Sequence, residues 1–303
     1  MRVFVTGASG WIGSAVVPEL LAAGHHVVGL ARSDAAAAAV TAAGAEVRRG
    51  GLDDPDGLRA GAAAADAVIH LAFKHDFSDL AGAGRTERAA VEAIGTGLEG
   101  TGRPFLFAAG LAFLTPGRLA TEHDPSPMVG PDAPRGGAEE FVLRYADRGV
   151  RPVSLRFPPS VHGPGDGGFV STLVGVARER GVSGHVGDGG ARWSAVHRAD
   201  AARLVRLALE NPPADGIVHA AAEEGVPTRA IAEAIGRQLG VPVVGVPVDE
   251  AAAHFGWIGA FFGIDMAASS ALTRERLGWT PTHPGLLADL DAGHYTRTVA
   301  AAR

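Results

Sequence analysis

The sequence predicts an α/β fold, namely a doubly wound parallel sheet with a smaller C-terminal lobe. Two observations carry this prediction. Short apolar segments rich in β-branched residues alternate with alanine-rich helical segments up to about Pro158, which is the pattern of strands and crossover helices in a parallel sheet. A Pro- and Gly-rich stretch, Pro158 to Gly168, then marks the exit of the chain from the sheet.

Seven segments are predicted to be the strands of this sheet. They are residues 2 to 6, 26 to 31, 45 to 48, 67 to 71, 104 to 109, 151 to 156 and 216 to 219. The alanine runs at 35 to 43 and 60 to 65 are predicted to be surface helices, because alanine is the best helix former. We expect residues 1 to 168 to form the sheet domain, which residues 194 to 220 rejoin. Residues 169 to 193 and 221 to 303 are expected to form a substrate-binding lobe over the carboxyl ends of the strands.

The first strand runs directly into a glycine-rich turn that opens a helix. Gly7 and Gly10 permit the backbone to pass close to a pyrophosphate, and Gly13 permits close packing of helix on strand. The helix predicted over Ser14 to Ala23 points its unpaired amide groups at the phosphates. The turn therefore predicts a dinucleotide cradle. Its expected contact residues are Gly7, Ser9, Gly10, Trp11, Ile12 and Gly13.

The end of the second strand indicates which nicotinamide dinucleotide binds. NAD-binding folds place a carboxylate here for the ribose 2′-hydroxyl, whereas this chain has Arg32 and Ser33, which suit a 2′-phosphate. We therefore predict NADP in preference to NAD. Asp34 follows and is predicted to cap the next helix. The alternative is that its side chain folds back towards the ribose. Leu52 is predicted to contact the cofactor, and the adenine is held either by Asp53 or by shape alone.

Composition excludes several classes of function. The 303 residues are 47% hydrophobic, enough for a large core, and the net charge of −6 gives no basic field for nucleic acid or an anionic membrane. The absence of cysteine excludes disulfides, thiolate metal sites and cysteine nucleophiles, and the twelve histidines show no convincing metal-ligand spacing, so no metal is predicted. The first strand starts at Arg2, and the late apolar run Phe255 to Ile264 is too short to cross a bilayer. We expect a cytoplasmic protein.

Five segments together resemble the atypical and extended short-chain dehydrogenase/reductase superfamily, which includes NAD-dependent epimerases and dehydratases and the 3β-hydroxysteroid-dehydrogenase-like branch. They are residues 6 to 13 with G-x-x-G-x-x-G spacing, 66 to 72, 153 to 165, 193 to 200 and 277 to 281. The resemblance implies a Rossmann sheet and further cofactor contacts from the ends of the fourth and sixth strands, at Leu71, Ala72, Phe157 and Ser160. Many members dimerise through helices of the core, so the resemblance allows a homodimer.

The catalytic residues of the superfamily are missing. Its reductases use a Tyr as proton donor, a Lys four residues later and a Ser or Thr after the fifth strand. Aligning Ala138-Glu139 with the Ala-Glu that follows the superfamily's motif places Pro131 at the tyrosine and Arg135 at the lysine, and the fifth strand ends without a hydroxyl. Arg135 could keep the electrostatic and ribose-binding role of the lysine, although its pKa makes it useless as a base.

Other residues could donate the proton. The candidates are His75 beside Asp76, in the loop after the fourth strand, and His162 after the sixth, because histidine titrates near neutral pH. Each could equally be a loop residue that bonds backbone or solvent. Tyr145 is interpreted as a packing residue, and His197 with Asp200 as capping and pinning the helix predicted from Ala201.

Two hypotheses of function follow. The first is an NADP-dependent oxidoreductase that reduces a carbonyl or activated double bond of a small, apolar substrate without the Ser/Tyr/Lys triad. The second is a non-redox descendant that keeps the nucleotide cradle, either a cofactor-sensing protein or an enzyme of cyclase or dehydratase type. The aromatic residues of 254 to 262 are expected to be lobe core, with the lining of an apolar cavity as the alternative.

Overall fold

The computed structural model describes residues 1–74 and 79–296. Its strands are β1 (Arg2–Thr6), β2 (His26–Ala31), β3 (Glu46–Arg49), β4 (Ala67–His70), β5 (Pro104–Gly110), β6 (Arg151–Phe157), β7 (Ser160–His162), β8 (Ser183–Val186), β9 (Arg192–His197), β10 (Ile217–His219), β11 (Glu223–Pro227) and β12 (Val243–Val246).

The α-helices are α1 (Gly13–Ala22), α2 (Asp34–Ala42), α3 (Pro55–Ala63), α4 (Leu80–Leu98), α5 (Ala138–Leu143), α6 (Phe169–Arg180), α7 (Arg198–Glu210), α8 (Thr228–Leu239), α9 (Ala251–Phe255), α10 (Gly259–Phe262), α11 (Ala271–Leu277) and α12 (Leu286–Asp291). Short 3₁₀ segments cover Pro134–Gly137, Arg144–Arg148, Val248–Glu250 and Gly256–Ile258. Within residues 1–74 and 79–296, no helix is both long enough and apolar enough to span a membrane.

The main sheet has seven strands in the order β3-β2-β1-β4-β5-β6-β10, and every pairing is parallel. Strand β1 lies inside the sheet, between β2 and β4, and its side chains point alternately to the two faces, both of which are buried. Val3 and Val5 pack with α1 and α7 on one face, while Phe4 packs with α3 and α4 on the other. The predicted doubly wound parallel sheet is confirmed. Its carboxyl ends lie at one edge, so the loops after β1, β4, β5 and β6 meet there.

The smaller lobe has its own core and two small sheets. One sheet joins β7, β9 and β11, and the other joins β8 and β12. Its core includes Trp193, Ile231 and Phe262, each fully buried. Phe255 and Ile258 are buried there too, so part of the aromatic segment 254 to 262 is lobe core as predicted.

Each strand of the main sheet lies within one residue of its predicted bounds, but several helix starts were wrong. The helix predicted at 60 to 65 begins at Pro55, because the Asp54 carboxylate accepts a bond from Gly57 N and a proline suits the first turn. The helix predicted from Ala201 begins at Arg198. His197 caps it as predicted, accepting a bond from Ala199 N.

Candidate active site

The glycine turn after β1 has the shape of a dinucleotide cradle. Gly10 N donates to Gly7 O at 2.9 Å, and Ser14 N donates to Gly10 O at 2.9 Å, which closes the turn onto α1. A Cβ at Gly7, where φ is +69°, would lie 2.7 Å from Ala72 N, and one at Gly13 would lie 2.0 Å from Gly7 O. The turn therefore admits only glycine at both positions, and Ser9 and Gly10 remain exposed at its tip. These residues fit a nicotinamide dinucleotide.

Strand β7 and the start of α7 hold the other side of this turn. Trp11 Nε1 donates to Val161 O at 2.7 Å, and the Arg198 guanidinium lies 4.1 Å from the centre of the Trp11 ring. The Trp11 side chain is therefore occupied by protein contacts. The Trp11 backbone lies next to Ile12 at the start of α1.

At the end of β2 the structure corrects one local assignment. Ser33 caps α2 by accepting a bond from Ala36 N at 3.2 Å, and Asp34 is instead the first residue of the helix. The Asp34 carboxylate pairs with Arg49. Arg32 is exposed and makes no hydrogen bond or ion pair with the part of the chain that the structure describes. The Arg32 guanidinium at the end of β2 is thus available, while the nearby Asp34 carboxylate is engaged.

Leu52 and Asp53 are the residues after β3 that were predicted to contact the cofactor or its adenine. Leu52 is half-buried after β3. The Asp53 carboxylate accepts a bond from Lys74 Nζ at 2.6 Å, so this acid, the alternative adenine contact, is paired with the only lysine of the chain.

At the end of β4 a histidine is buried beside the cradle. His70 Nδ1 lies 2.7 Å from Thr6 Oγ1, which also accepts a bond from Ala72 N at 3.3 Å. The imidazole stacks on Phe107 of β5 with 5.8 Å between ring centres. Its Nε2 is buried and has no partner among residues 1–74 and 79–296. Burial, with a smaller effect of Arg135, lowers the pKa of His70 to about 3.

This buried histidine should make the protein less stable in weak acid. The unfolded chain protonates at the ordinary histidine pKa near 6.5, whereas folded His70 stays neutral down to about 3, so unfolding takes up a proton in this window. Between pH 6 and 5, His70 alone should lower the free energy of unfolding by about 1.2 kcal/mol. Urea unfolding at both pH values measures this change in wild type and in His70→Asn. The drop in the free energy of unfolding from pH 6 to pH 5 should be about 1.2 kcal/mol smaller in the variant. An equal drop in both proteins would contradict the burial of a neutral imidazole.

Arg135 lies at the same edge of the sheet. Its backbone φ is +57°, an uncommon value for a residue with a Cβ. The guanidinium donates twice to Glu87 of α4, through Nε at 3.0 Å and through Nη2. It also lies 4.7 Å from the Phe73 ring centre and 5.4 Å from that of Phe107. Glu87 is 1% exposed, and burial raises its pKa while the Arg135 charge opposes that shift.

Sequence reasoning missed Glu87, although a signal was present. Along α4 the residues Ala83, Ala90, Val91 and Ile94 are all buried, and Glu87 lies on the same face at helical spacing. A buried acid on the apolar face of a helix requires a partner cation, and Arg135, whose side chain is 35% exposed, is that cation. His70 and Thr6 were missed as well, because each is the last residue of a strand and no sequence pattern distinguishes it.

The other residues predicted for the site differ in their burial. Leu71 and Ala72 are half-buried beside the turn, Phe157 is buried at the end of β6, and Ser160 is buried with its Oγ lacking a described partner. His75 and Asp76 lie outside the described residues. Pro131 lies in the loop before α5 and carries no proton to donate.

His162, the second candidate proton donor, is buried at the end of β7. It is 1% exposed, and its Nδ1 lies 2.6 Å from an oxygen of Asp289 in α12, while its ring contacts His197. This arrangement ties β7 to the C-terminal helix. The catalytic role of His162 stays a prediction.

Tyr145 is buried as well, and its hydroxyl donates to Glu92 O, which fits the interpretation as a packing residue. Asp200 pins the chain near α12 by accepting bonds from Thr282 N and His283 N.

Comparison with known proteins agrees with this geometry. Residues 3–93 match the model of the NAD dependent epimerase/dehydratase family. An uncharacterised protein of Schizosaccharomyces pombe is 48% identical over 296 residues, covering 97% of this chain and 100% of that protein. The 2′-dehydrokanamycin reductase of Streptomyces kanamyceticus is 33% identical over 267 residues, covering 83% of this chain and 71% of the reductase. The solved UDP-glucose 4-epimerase of Thermus thermophilus in complex with NAD superposes with a TM-score of 0.75 at 22% identity, covering 97% of this chain and 99% of that one.

A seven-stranded parallel sheet with a glycine cradle at its carboxyl edge defines the class, a Rossmann-type protein with a smaller C-terminal lobe. More particularly, the chain belongs to the NAD-dependent epimerase/dehydratase family, the extended short-chain dehydrogenases/reductases. NAD(P) is the cofactor typical of this family.

Proposed function

We propose that the protein is an NADP-dependent oxidoreductase that reduces a carbonyl or an activated double bond of a small, apolar substrate. The observation that carries the proposal is the position of Arg135. Its guanidinium is fixed by buried Glu87 beside Phe107 and His70, at the edge of the sheet where the cradle lies. A fixed positive charge at this edge suits negative charge that develops on a substrate oxygen.

The chemistry divides between the cofactor and a few side chains. When bound, NADPH supplies the hydride. Arg135 stabilises the oxyanion or holds ribose hydroxyl groups, but it keeps its proton because the pKa of a guanidinium lies far above neutral pH. The proton that completes the reduction therefore comes from water or from another group, for which His75, outside the described residues, is a sequence candidate. His70, whose pKa is lowered to about 3, is neutral and orients the Thr6 hydroxyl next to Ala72.

Reduction is also the activity named for one relative. The similar protein of Streptomyces kanamyceticus is a 2′-dehydrokanamycin reductase. A screen of apolar aldehydes, ketones and enones for NADPH consumption tests the proposed reaction. Consumption that depends on Arg135 would support it, and NADPH binding without consumption by any carbonyl would contradict it.

The preference for NADP has its own test. Arg32 is exposed at the end of β2 without a described partner, while Asp34 is engaged by Arg49. Arg32→Ala should weaken NADPH binding by about 1.5 to 3 kcal/mol, typical of a hydrogen bond to a charged group, and should spare NADH. Calorimetric titration of the variant with both cofactors measures this. Equal losses for NADPH and NADH would show that Arg32 does not contact the 2′-phosphate.

A non-redox role is the second candidate. It is favoured because this chain lacks the Ser or Thr hydroxyl directly after β5 and the tyrosine hydroxyl that reductases of the superfamily use. β5 ends in Ala108, Ala109 and Gly110, and Pro131 occupies the aligned tyrosine position. A protein of this kind would bind NADPH and use the occupied cradle for sensing, or use the pocket for cyclisation or dehydration. It would bind NADPH tightly in calorimetry while leaving it unoxidised.

A further inference from the structure

The backbone is strained at one loop residue that the proposed function leaves unexplained. Among the described residues, Phe113 and Arg135 are the two non-glycine residues with positive φ, and Phe113 has φ +62°. Left-handed backbone is unfavourable for a bulky residue, and such strain concentrates at ligand sites. Phe113 follows Gly110, the last residue of β5, by three positions. It therefore lies in the loop that leaves the sheet edge next to Arg135.

The ring of Phe113 reaches the smaller lobe. It contacts Phe261 with 5.2 Å between ring centres, and Phe261 in turn contacts Phe169 at 5.5 Å and Trp257 at 6.0 Å. Phe169 and Trp257 lie 5.3 Å apart, edge to face. We call these four side chains, Phe113, Phe169, Trp257 and Phe261, the aromatic shelf.

The aromatic shelf lies at the edge of the lobe core, against which Phe169 and Phe261 pack. Trp257 is 45% exposed and the three phenylalanines are half-buried. Their neighbours Phe255 and Phe262 are 4% and 0% exposed and fill the core beneath. The shelf therefore offers ring faces and edges to a ligand at little cost in core packing.

Backbone bonds hold the two halves of the shelf together. Ala120 N donates to Ala267 O at 2.9 Å, and Ser269 N donates to Ala120 O at 2.8 Å. These bonds tie the loop that carries Phe113 to the lobe segment that follows Phe261. The shelf thus spans the junction between the carboxyl edge of the sheet and the lobe, where ligands of open α/β sheets bind.

The charges of the lobe show which ligands the shelf does not suit. Every arginine in residues 169–193 and 221–296 already donates to a carboxylate, a hydroxyl or a backbone carbonyl of this chain; they are Arg178, Arg180, Arg192, Arg229, Arg237, Arg274 and Arg276. These ranges contain no lysine. A ligand diphosphate in the described lobe would therefore compete with acceptors of this chain for guanidinium donors.

We propose that the aromatic shelf binds a planar, uncharged aromatic ring of the substrate and directs the reacting carbonyl or double bond towards Arg135. The inference rests on the proposed function, since it names the class of substrate for that same site. It predicts selection by ring planarity, because aromatic side chains favour a π-face or ring edge over a saturated ring of similar size.

Two neutral probes that NADPH does not reduce test this by calorimetry. They are 2-naphthamide, which is planar, and decahydronaphthalene-2-carboxamide, its saturated counterpart; UDP-glucose is the third ligand. The wild-type protein should bind 2-naphthamide about tenfold more tightly than the saturated amide, with UDP-glucose weakest. Equal affinity for the two amides, tighter binding of UDP-glucose, or no binding of 2-naphthamide would overturn the proposal.

Variants of the shelf separate binding from folding. Phe261→Leu and Phe113→Asn should each weaken 2-naphthamide by about two- to tenfold and leave the saturated amide unchanged. Asparagine tolerates left-handed backbone, so Phe113→Asn should keep the unfolding midpoint of wild type. Phe141→Leu, at a half-buried ring on α5, is the matched control and should bind both amides as wild type does. A loss of stability without a loss of probe discrimination would show that Phe113 only packs.

The same samples are titrated with NADPH, which keeps the two proposals apart. If the protein distinguishes the two amides but does not bind NADPH, the proposed oxidoreductase is contradicted and the shelf remains a ring-binding site. If it binds NADPH but does not distinguish the two amides, only the proposal for the shelf is contradicted.

Discussion

Gly13→Ala is expected to abolish cofactor binding. The added Cβ would lie 2.0 Å from Gly7 O and 2.9 Å from Ala8 Cα, both backbone atoms of the turn, so relief requires moving the cradle itself. We expect the affinity for NADPH to fall at least about a hundredfold and the free energy of unfolding to fall by about 1–3 kcal/mol, as for overpacked sites. Calorimetric titration with NADPH and urea unfolding measure the two effects.

Two further variants make this result interpretable. Gly175→Ala on the exposed face of α6 adds a Cβ with nothing within 4 Å, so it should keep NADPH affinity and gain up to about 1 kcal/mol of stability. Gly10→Asp meets only Gly7 O at 3.2 Å, so the turn should survive while the new carboxylate repels the pyrophosphate. Unchanged NADPH affinity in Gly10→Asp would show that the cradle does not hold a dinucleotide.

Arg135→Met is expected to destabilise the protein and to stop reduction. Glu87 is 1% exposed and would keep a buried charge without its partner. Removing one member of a buried pair costs about 3–5 kcal/mol, and the lower end applies because the Arg135 side chain is 35% exposed. The double variant Glu87→Gln with Arg135→Met should recover much of the stability, since the buried charge is gone, but no activity.

Urea unfolding of wild type, both single variants and the double variant gives the coupling between the two residues. The matched control is Arg237→Met, which removes an arginine from the exposed pair with Asp291 and should cost less than about 1 kcal/mol. If Arg135→Met lowered the free energy of unfolding by no more than Arg237→Met does, the Glu87–Arg135 pair would not be a buried ion pair. Full turnover in a folded double variant would contradict the role of Arg135 at the substrate oxygen.

Local patterns were sufficient to predict most of the fold. The β-branched run of β1, its glycine turn and the alternation of strands with helices are readable within a few residues of one another, and the structure confirms the sheet they predict. Errors fell at helix starts, where competing caps decide the boundary. Asp34 was predicted to cap α2, but Ser33 does so because its hydroxyl accepts a bond from Ala36 N.

The candidate site was less predictable because its pairs are distant in sequence. Glu87 and Arg135 are 48 positions apart, and only the packing of α4 against the loop before α5 brings them together. His162 looked available after the sixth strand, but its ring lies against Asp289 of α12, which is 127 positions later in the sequence. The left-handed backbone of Phe113 and Arg135 likewise depends on contacts that no local pattern encodes.

The proposed reduction and the role of Arg32 both require an occupied cradle, so the decisive experiment is a paired calorimetric titration with NADPH and NADH. We expect tight binding of NADPH and weak binding of NADH. Failure of both cofactors to bind would contradict it, and the glycine turn would then be inherited architecture without a cofactor.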